Sequence, residues 1–140
     1  MGGVIDIWHV AIPVSDLARS EDFYVAKLGF ALIGREDSPQ KRQILVSVKP
    51  RGFTLVLFQQ LQDSLIVPRH PDHLAFECEY IEEFHARLRQ AGLTYLPRVE
   101  TLPSGARRFA LSDPDGVQLH FFQGREIYEA GLQEGEAARR

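Results

Sequence analysis

A repeat within the chain constrains its fold more than any other feature. Lys49-Pro50-Arg51-Gly52-Phe53-Thr54-Leu55-Val56-Leu57-Phe58-Gln59 matches Asp113-Pro114-Asp115-Gly116-Val117-Gln118-Leu119-His120-Phe121-Phe122-Gln123, with Pro, Gly, Leu, Phe and Gln in register 64 residues apart. The same shift carries Trp8-His9-Val10-Ala11-Ile12 onto Asp72-His73-Leu74-Ala75-Phe76. Two separated segments that agree on one shift mark a duplicated supersecondary unit.

Each copy reads as β-α-β-β-β. A first strand is expected at Ile7 to Val14 and again at Asp72 to Glu79. In the first copy Ser15 or Asp16 can cap a helix whose Leu17, Phe23, Tyr24 and Leu28 share a face, and Gly29 ends it. In the second copy Ile81, Phe84, Leu88 and Ala91 recur at helical spacing before Gly92. The clearest later strands are Gln43 to Val48, Phe53 to Gln59, Arg108 to Ser112 and Val117 to Gln123, with Pro-Arg-Gly and Pro-Asp-Gly as hairpin turns. The expected fold is a single α+β domain over 1–140, in which two tandem modules form a curved, partly closed mixed sheet around a cavity. Module one spans about 5–60 and module two about 70–123. Leu61 to Pro71 reads as a linker or lid, and the charged tail over 124–140 as a loose terminal helix or disordered chain.

Composition narrows the function. At 140 residues and 44% apolar, the chain fills an ordinary core without a disulfide or zinc staple. Its net charge of -3 and the lack of a basic stretch argue against a nucleic-acid partner. No apolar run approaches the ~20 residues that span a bilayer, and Met1 to Trp8 lacks the pattern of a secretory signal. A cytoplasmic location with no membrane partner is the expectation.

Strand alternation then sorts the side chains. Trp8, Val10 and Ile12 share one face of the first strand, and His9 falls on the other. In module two Leu74, Phe76 and Cys78 are the apolar set, with His73, Ala75 and Glu77 opposite. In the last strand Gln118, His120 and Phe122 oppose Val117, Leu119 and Phe121, and their counterparts in module one are Thr54, Val56 and Phe58. Three histidines therefore fall on the face turned away from the helices. A curved sheet gathers that face into a cavity, where neutral imidazoles are good ligands for iron, zinc, nickel or manganese.

His9-Val10-Ala11-Ile12-Pro13-Val14-Ser15-Asp16-Leu17, with Phe23-Tyr24 and Leu28-Gly29-Phe30, resembles the opening of a vicinal oxygen chelate protein. This superfamily includes glyoxalases, extradiol dioxygenases, fosfomycin-resistance enzymes and bleomycin-binding proteins. His73-Leu74-Ala75-Phe76 and Asp113-Pro114-Asp115-Gly116 resemble its second half, so the resemblance covers about residues 5–123. It implies a divalent-metal site at four positions, which fall here on His9, Val56, His73 and His120. Val56 cannot coordinate, and His120 stands where the family usually has Glu. Both usual carboxylate positions are thus lost, with Glu77 only a distant substitute base. The resemblance implies a small-molecule substrate. The reading leans to dioxygenase chemistry with iron(II) on His9, His73 and His120. A glyoxalase-like lyase or isomerase using zinc, nickel or manganese is the alternative, and a metal-free drug- or metabolite-binding protein is a further one. A homodimer is expected, with modules paired across each cavity within one chain or between two.

Plainer roles compete for several residues. His9 and His73 also suit an inherited cavity wall, and His120 a polar pocket wall. His70 is expected in exposed linker and His85 on a helix surface. Cys78 reads as a buried structural thiol. Arg107 and Arg108 suit either a clamp for a substrate carboxylate or phosphate, or a solvated strand start. Phe58, Phe109 and Phe122 suit either an apolar pocket or the core.

Overall fold

The computed structural model describes residues 2–49, 52–61 and 69–139. It divides into two compact units, 1–71 and 72–140. Unit one contains β1 (His9–Pro13), α1 (Leu17–Glu21) running on as a π-helical turn (Asp22–Lys27), β2 (Ala31–Asp37), β3 (Lys41–Ser47) and β4 (Thr54–Gln60). Unit two contains β5 (His73–Glu77), α2 (Ile81–Gln90), β6 (Glu100–Thr101), β7 (Arg107–Ser112), β8 (Gln118–Gln123) and α3 (Arg125–Ala138). Each unit forms its own four-stranded mixed sheet, ordered β1-β4-β3-β2 and β5-β8-β7-β6. In both, the first strand pairs in parallel with the last, and the other pairings are antiparallel. The duplication is therefore one of topology as well as sequence.

The repeat extends to single hydrogen bonds. Gln59 Oε1 accepts the Leu17 N–H at 2.8 Å, and Gln123 Oε1 accepts the Ile81 N–H at 2.8 Å. Each glutamine reaches from the end of a unit's last strand to the first turn of its helix, where backbone donors lack helical partners. The Asp16 carboxylate adds a cap by accepting from the Arg19 N–H. Val14 N–H donates to Phe58 O, and Cys78 N–H to Phe122 O, continuing the parallel pairing in both units. The chain leaves each helix through a glycine, Gly29 or Gly92, at φ 84° and 102°, a region that side-chain-bearing residues avoid.

The helix-facing strand residues form the cores. Ile12, Phe23, Tyr24, Leu28, Ile44, Leu55 and Leu57 are buried in unit one. Ile81, Leu88, Phe109, Leu111, Leu119 and Phe121 are buried in unit two. There Phe109 and Phe121 stack at 5.1 Å, and Phe84 meets Phe121 edge-on at the same distance. Phe109 is thus core, and does not line a pocket.

One expectation changes. His85 is not a surface residue: it is buried, its ring stands edge-on to Phe109 at 5.0 Å, and its Nε2 bonds the Pro97 carbonyl at 2.8 Å. That carbonyl satisfies the polar atom, so the ring packs as an apolar body. Of the two readings of the tail, the helix is the one seen: α3 carries it, with no residue buried. The Pro-Arg-Gly turn falls partly, and the linker or lid mostly, outside the described residues. Among the described residues, no helix is long and apolar enough to cross a membrane.

Candidate functional site

Register builds the site in unit two. His73 pairs with Gln118 and Ala75 with His120, so His73 and His120 sit diagonally on adjacent parallel strands, facing the same side. Their rings stack at 4.4 Å with planes 18° apart. The Asp72 carboxylate lies 2.8 Å from His73 Nδ1 and accepts a hydrogen bond from it, leaving Nε2 as the nitrogen that Asp72 does not engage. Burial first, then the charges of His73 and Arg108, hold His120 below the usual imidazole value, against an opposing pull from Asp72. Its neutral, ligand-competent form is therefore favoured at neutral pH.

Farther along the same face come Glu77, Phe122 and Arg108, since Glu77 and Arg108 both pair with Phe122. Arg108 donates to Glu100 at 2.9 Å, and its guanidinium lies 5.7 Å over the Phe122 ring. Arg107 faces the helix side, where it pairs with Glu82 of α2. Both arginines are thus engaged by carboxylates within the unit. A cavity of about 450 Å³ opens beside this face, its wall including His73, Glu77, Ala106, Phe122, Arg125 and Tyr128. Arg125 and Tyr128 come from the tail, which sequence reading left out of the site. The signal was present as a Tyr three residues after Arg125 in a helix-forming stretch, but nothing in one sequence says where a terminal helix lands.

In unit one His9 pairs with Thr54, and Ala11 with Val56. Val56 thus occupies the position diagonal to His9 that His120 occupies relative to His73. It is buried, and Phe58 beside it is half-buried under the Lys41 ammonium, 5.3 Å from its ring. His9 is exposed, and its ring meets Trp8 edge-on at 6.1 Å. His70 is exposed. Cys78 is half-buried, and burial pushes its thiol up to about 11, against the opposing charge of Arg87, so it stays protonated at neutral pH. Within neither unit do three or more His, Cys, Asp or Glu side chains converge among the described residues.

Imidazole nitrogens are of the type that bind divalent cations, but the stacked planes of His73 and His120 do not aim their nitrogens at one point. The two imidazoles lie together on one face, one of them held by a carboxylate, the arrangement that fixes metal-binding histidines elsewhere. Nitrogens sharing a cation at about 2.1 Å stand about 3 Å apart, a modest rotation away for rings stacked at 4.4 Å.

Two β-α-β-β-β units, each with a histidine of its first strand on the sheet face away from its helix, define an α+β protein of the vicinal oxygen chelate type. The chain belongs to the Glyoxalase/Bleomycin resistance protein/Dioxygenase superfamily, whose sequence model matches residues 6–121. It is similar to the uncharacterised protein YwkD of Bacillus subtilis, with 27% identity over 123 residues, which are 84% of this chain and 95% of the relative. A lactoylglutathione lyase of Neisseria meningitidis is 27% identical over 121 residues, 82% of this chain and 88% of the relative. Among solved structures, a glyoxalase family protein from Enterococcus faecalis superposes with a TM-score of 0.68 at 29% identity, covering 84% of this chain and 96% of that one.

Proposed function

We propose that this protein is a metal-dependent enzyme acting on a small molecule that offers two adjacent oxygens to a divalent cation. The observation that carries this reading is the stacked His73–His120 pair with Asp72 on His73 Nδ1. His9, the counterpart of His73 in the repeat, is the third ligand in this reading. It is supplied by the same chain or by the partner in a homodimer. When bound, the cation supplies Lewis acidity, and iron(II) also supplies a place for O₂. The chain's own residues orient the substrate: Phe122 offers an apolar surface, and Glu77 is the carboxylate on the cavity wall that can take up a proton.

Dioxygenase chemistry with iron(II) is favoured because Val56 and His120 leave both usual carboxylate positions without a base. A lyase or isomerase using zinc, nickel or manganese is the second reading, favoured by the similarity to the Neisseria meningitidis lactoylglutathione lyase and served by Glu77. Metal analysis of protein purified without chelator, with oxygen-electrode assays on catechols and hemithioacetals, separates them. Iron with substrate-dependent O₂ uptake supports the first reading. Zinc or nickel with no O₂ uptake supports the second. Failure to take up any divalent metal overturns both and leaves a metal-free binding protein.

Mixing His9→Ala chains with His73→Ala chains tests the third ligand. If sites form between chains, a heterodimer regains one complete site and part of the lost metal. Sites within chains give no recovery. Full metal affinity in His9→Ala alone removes His9 from the set.

A further inference from the structure

We infer that α3 is a wall of the ligand site and that Tyr128 is its specificity-determining residue, selecting a ligand with a flat, apolar body. The inference rests on the reading that the cavity beside His73 receives the ligand.

The seat of α3 is built from glycines and one isoleucine. The chain leaves β8 through Gly124, at φ 93° and ψ 40°. A Cβ at Gly124 would meet Ala106 Cα at 3.4 Å and Ala106 Cβ at 3.6 Å, ordinary contact distances, so the elbow needs glycine for its conformation and lies against Ala106. Ile127 then lies over this elbow and the turn before β7: a Cβ on Gly105 would be 3.8 Å from Ile127 Cγ2. One helical turn on, a Cβ on Gly131 would be 3.8 Å from Ser104 Cβ. Ile127 and Gly131, at i and i+4, thus set the helix on residues 104–106.

From that seat Tyr128 and Arg125 reach the cavity wall, although no residue of α3 is buried. The Tyr128 ring stands 6.0 Å from the Phe122 ring, tilted by 45°. Phe122 also contacts His120 at 6.3 Å, so an aromatic path runs from the histidine pair to Tyr128. Tyr128 remains 40% exposed, which leaves ring surface for a ligand. His73 stands at one end of β5 on the cavity wall, while Phe122, Ala106 and Tyr128 make an apolar part at the other end, where Glu77, paired with Phe122, and Arg125 are also present. A ligand that satisfies both has oxygens at one end and a flat apolar body at the other.

The test compares benzohydroxamate with acetohydroxamate, which share one chelating head and differ in the phenyl body. Both are titrated calorimetrically into the protein with zinc added. The parent is expected to prefer benzohydroxamate about tenfold, the scale of a good aromatic contact. Tyr128→Ala should abolish most of that preference, and Tyr128→Phe should keep it. Ile127→Ala, which loosens the seat, should reduce it with Tyr128 still present. Acetohydroxamate affinity and zinc content should stay constant across the series. No phenyl preference in the parent, or one that survives Tyr128→Ala, overturns the inference even if zinc binds normally. A Tyr128-dependent preference in protein that takes up no zinc supports the inference and instead removes the metal reading.

Discussion

Unit one and unit two share strand order, a parallel closing pair and a glutamine that caps the helix from the last strand. They differ in what stands on the face away from the helix. Unit two places His120 diagonal to His73, whereas unit one places buried Val56 diagonal to His9. Unit two also continues into α3, which adds Tyr128 and Arg125 to a cavity wall. The scaffold has kept its symmetry while the ligand-competent groups have gathered in one half. Topology and capping are needed twice because each unit builds its own sheet and helix, whereas one imidazole pair is enough to begin a metal site.

The largest expected effect comes from dismantling that pair. His73→Ala should weaken zinc binding at least about a hundredfold by calorimetry, since it removes a ligand already oriented by Asp72. Val56→His builds the missing diagonal in unit one and should raise the zinc bound per chain. Unchanged stoichiometry in that variant means the sheet diagonal alone does not make a binding pair.

A second contrast concerns Val14 and Cys78, which are equivalent in the repeat. With its thiol held near 11 rather than 9.0, Cys78 carries about a hundredfold less thiolate at pH 8 than an ordinary thiol. Iodoacetamide should therefore label the native protein slowly at pH 8 and much faster as pH approaches 11. Rapid labelling at pH 8 would contradict the burial assigned to this strand.

The two glutamine caps should be matched in energy. Gln59→Ala and Gln123→Ala each leave a helix N-terminal N–H without its acceptor, at a cost of about 1 kcal/mol in urea unfolding. A large inequality would show that one unit depends on its cap more than the other.

The smallest effect is in titration. His120 is held below its ordinary 6.5, so the associated stability is present above that value and is lost as pH falls through the folded-state value. NMR of metal-free protein should show the His120 midpoint moving upward in Arg108→Ala, which removes a neighbouring positive charge. His120→Gln should flatten the acid side of the stability profile.

Much of this architecture was legible in the sequence because strands alternate and turns use Gly and Pro, so the 64-residue shift preserved faces as well as letters. The same logic placed His73, Glu77, His120 and Phe122 on one face. His85 was misread because an imidazole was weighed as a polar surface group. Yet 81, 84, 85 and 88 form one helical stripe, and only the distant Pro97 carbonyl reveals how the ring is satisfied. Phe109 was left undecided between pocket and core, although it pairs directly with Phe121 and shares its face. Tyr128 was missed for a different reason: where α3 lands follows from the left-handed elbow at Gly124 and contacts with residues 104–106, which one sequence does not show.

The parallel closing pair has a consequence for synthesis. β1 hydrogen-bonds only to β4 within its sheet, and Thr54–Gln60 is the last strand of that unit to be made. As the chain emerges from the ribosome, His9–Pro13 has no partner until about fifty further residues have appeared. The antiparallel β2–β3 hairpin can form earlier, but it cannot shelter that first strand. The second half repeats the delay, because β5 waits for β8. Such distant pairing slows folding and leaves edges open to other chains in the interval. Nascent chains stalled just before Thr54 should therefore remain protease-sensitive, and those stalled far enough past Gln60 for β4 to clear the exit tunnel should gain protection in a single step.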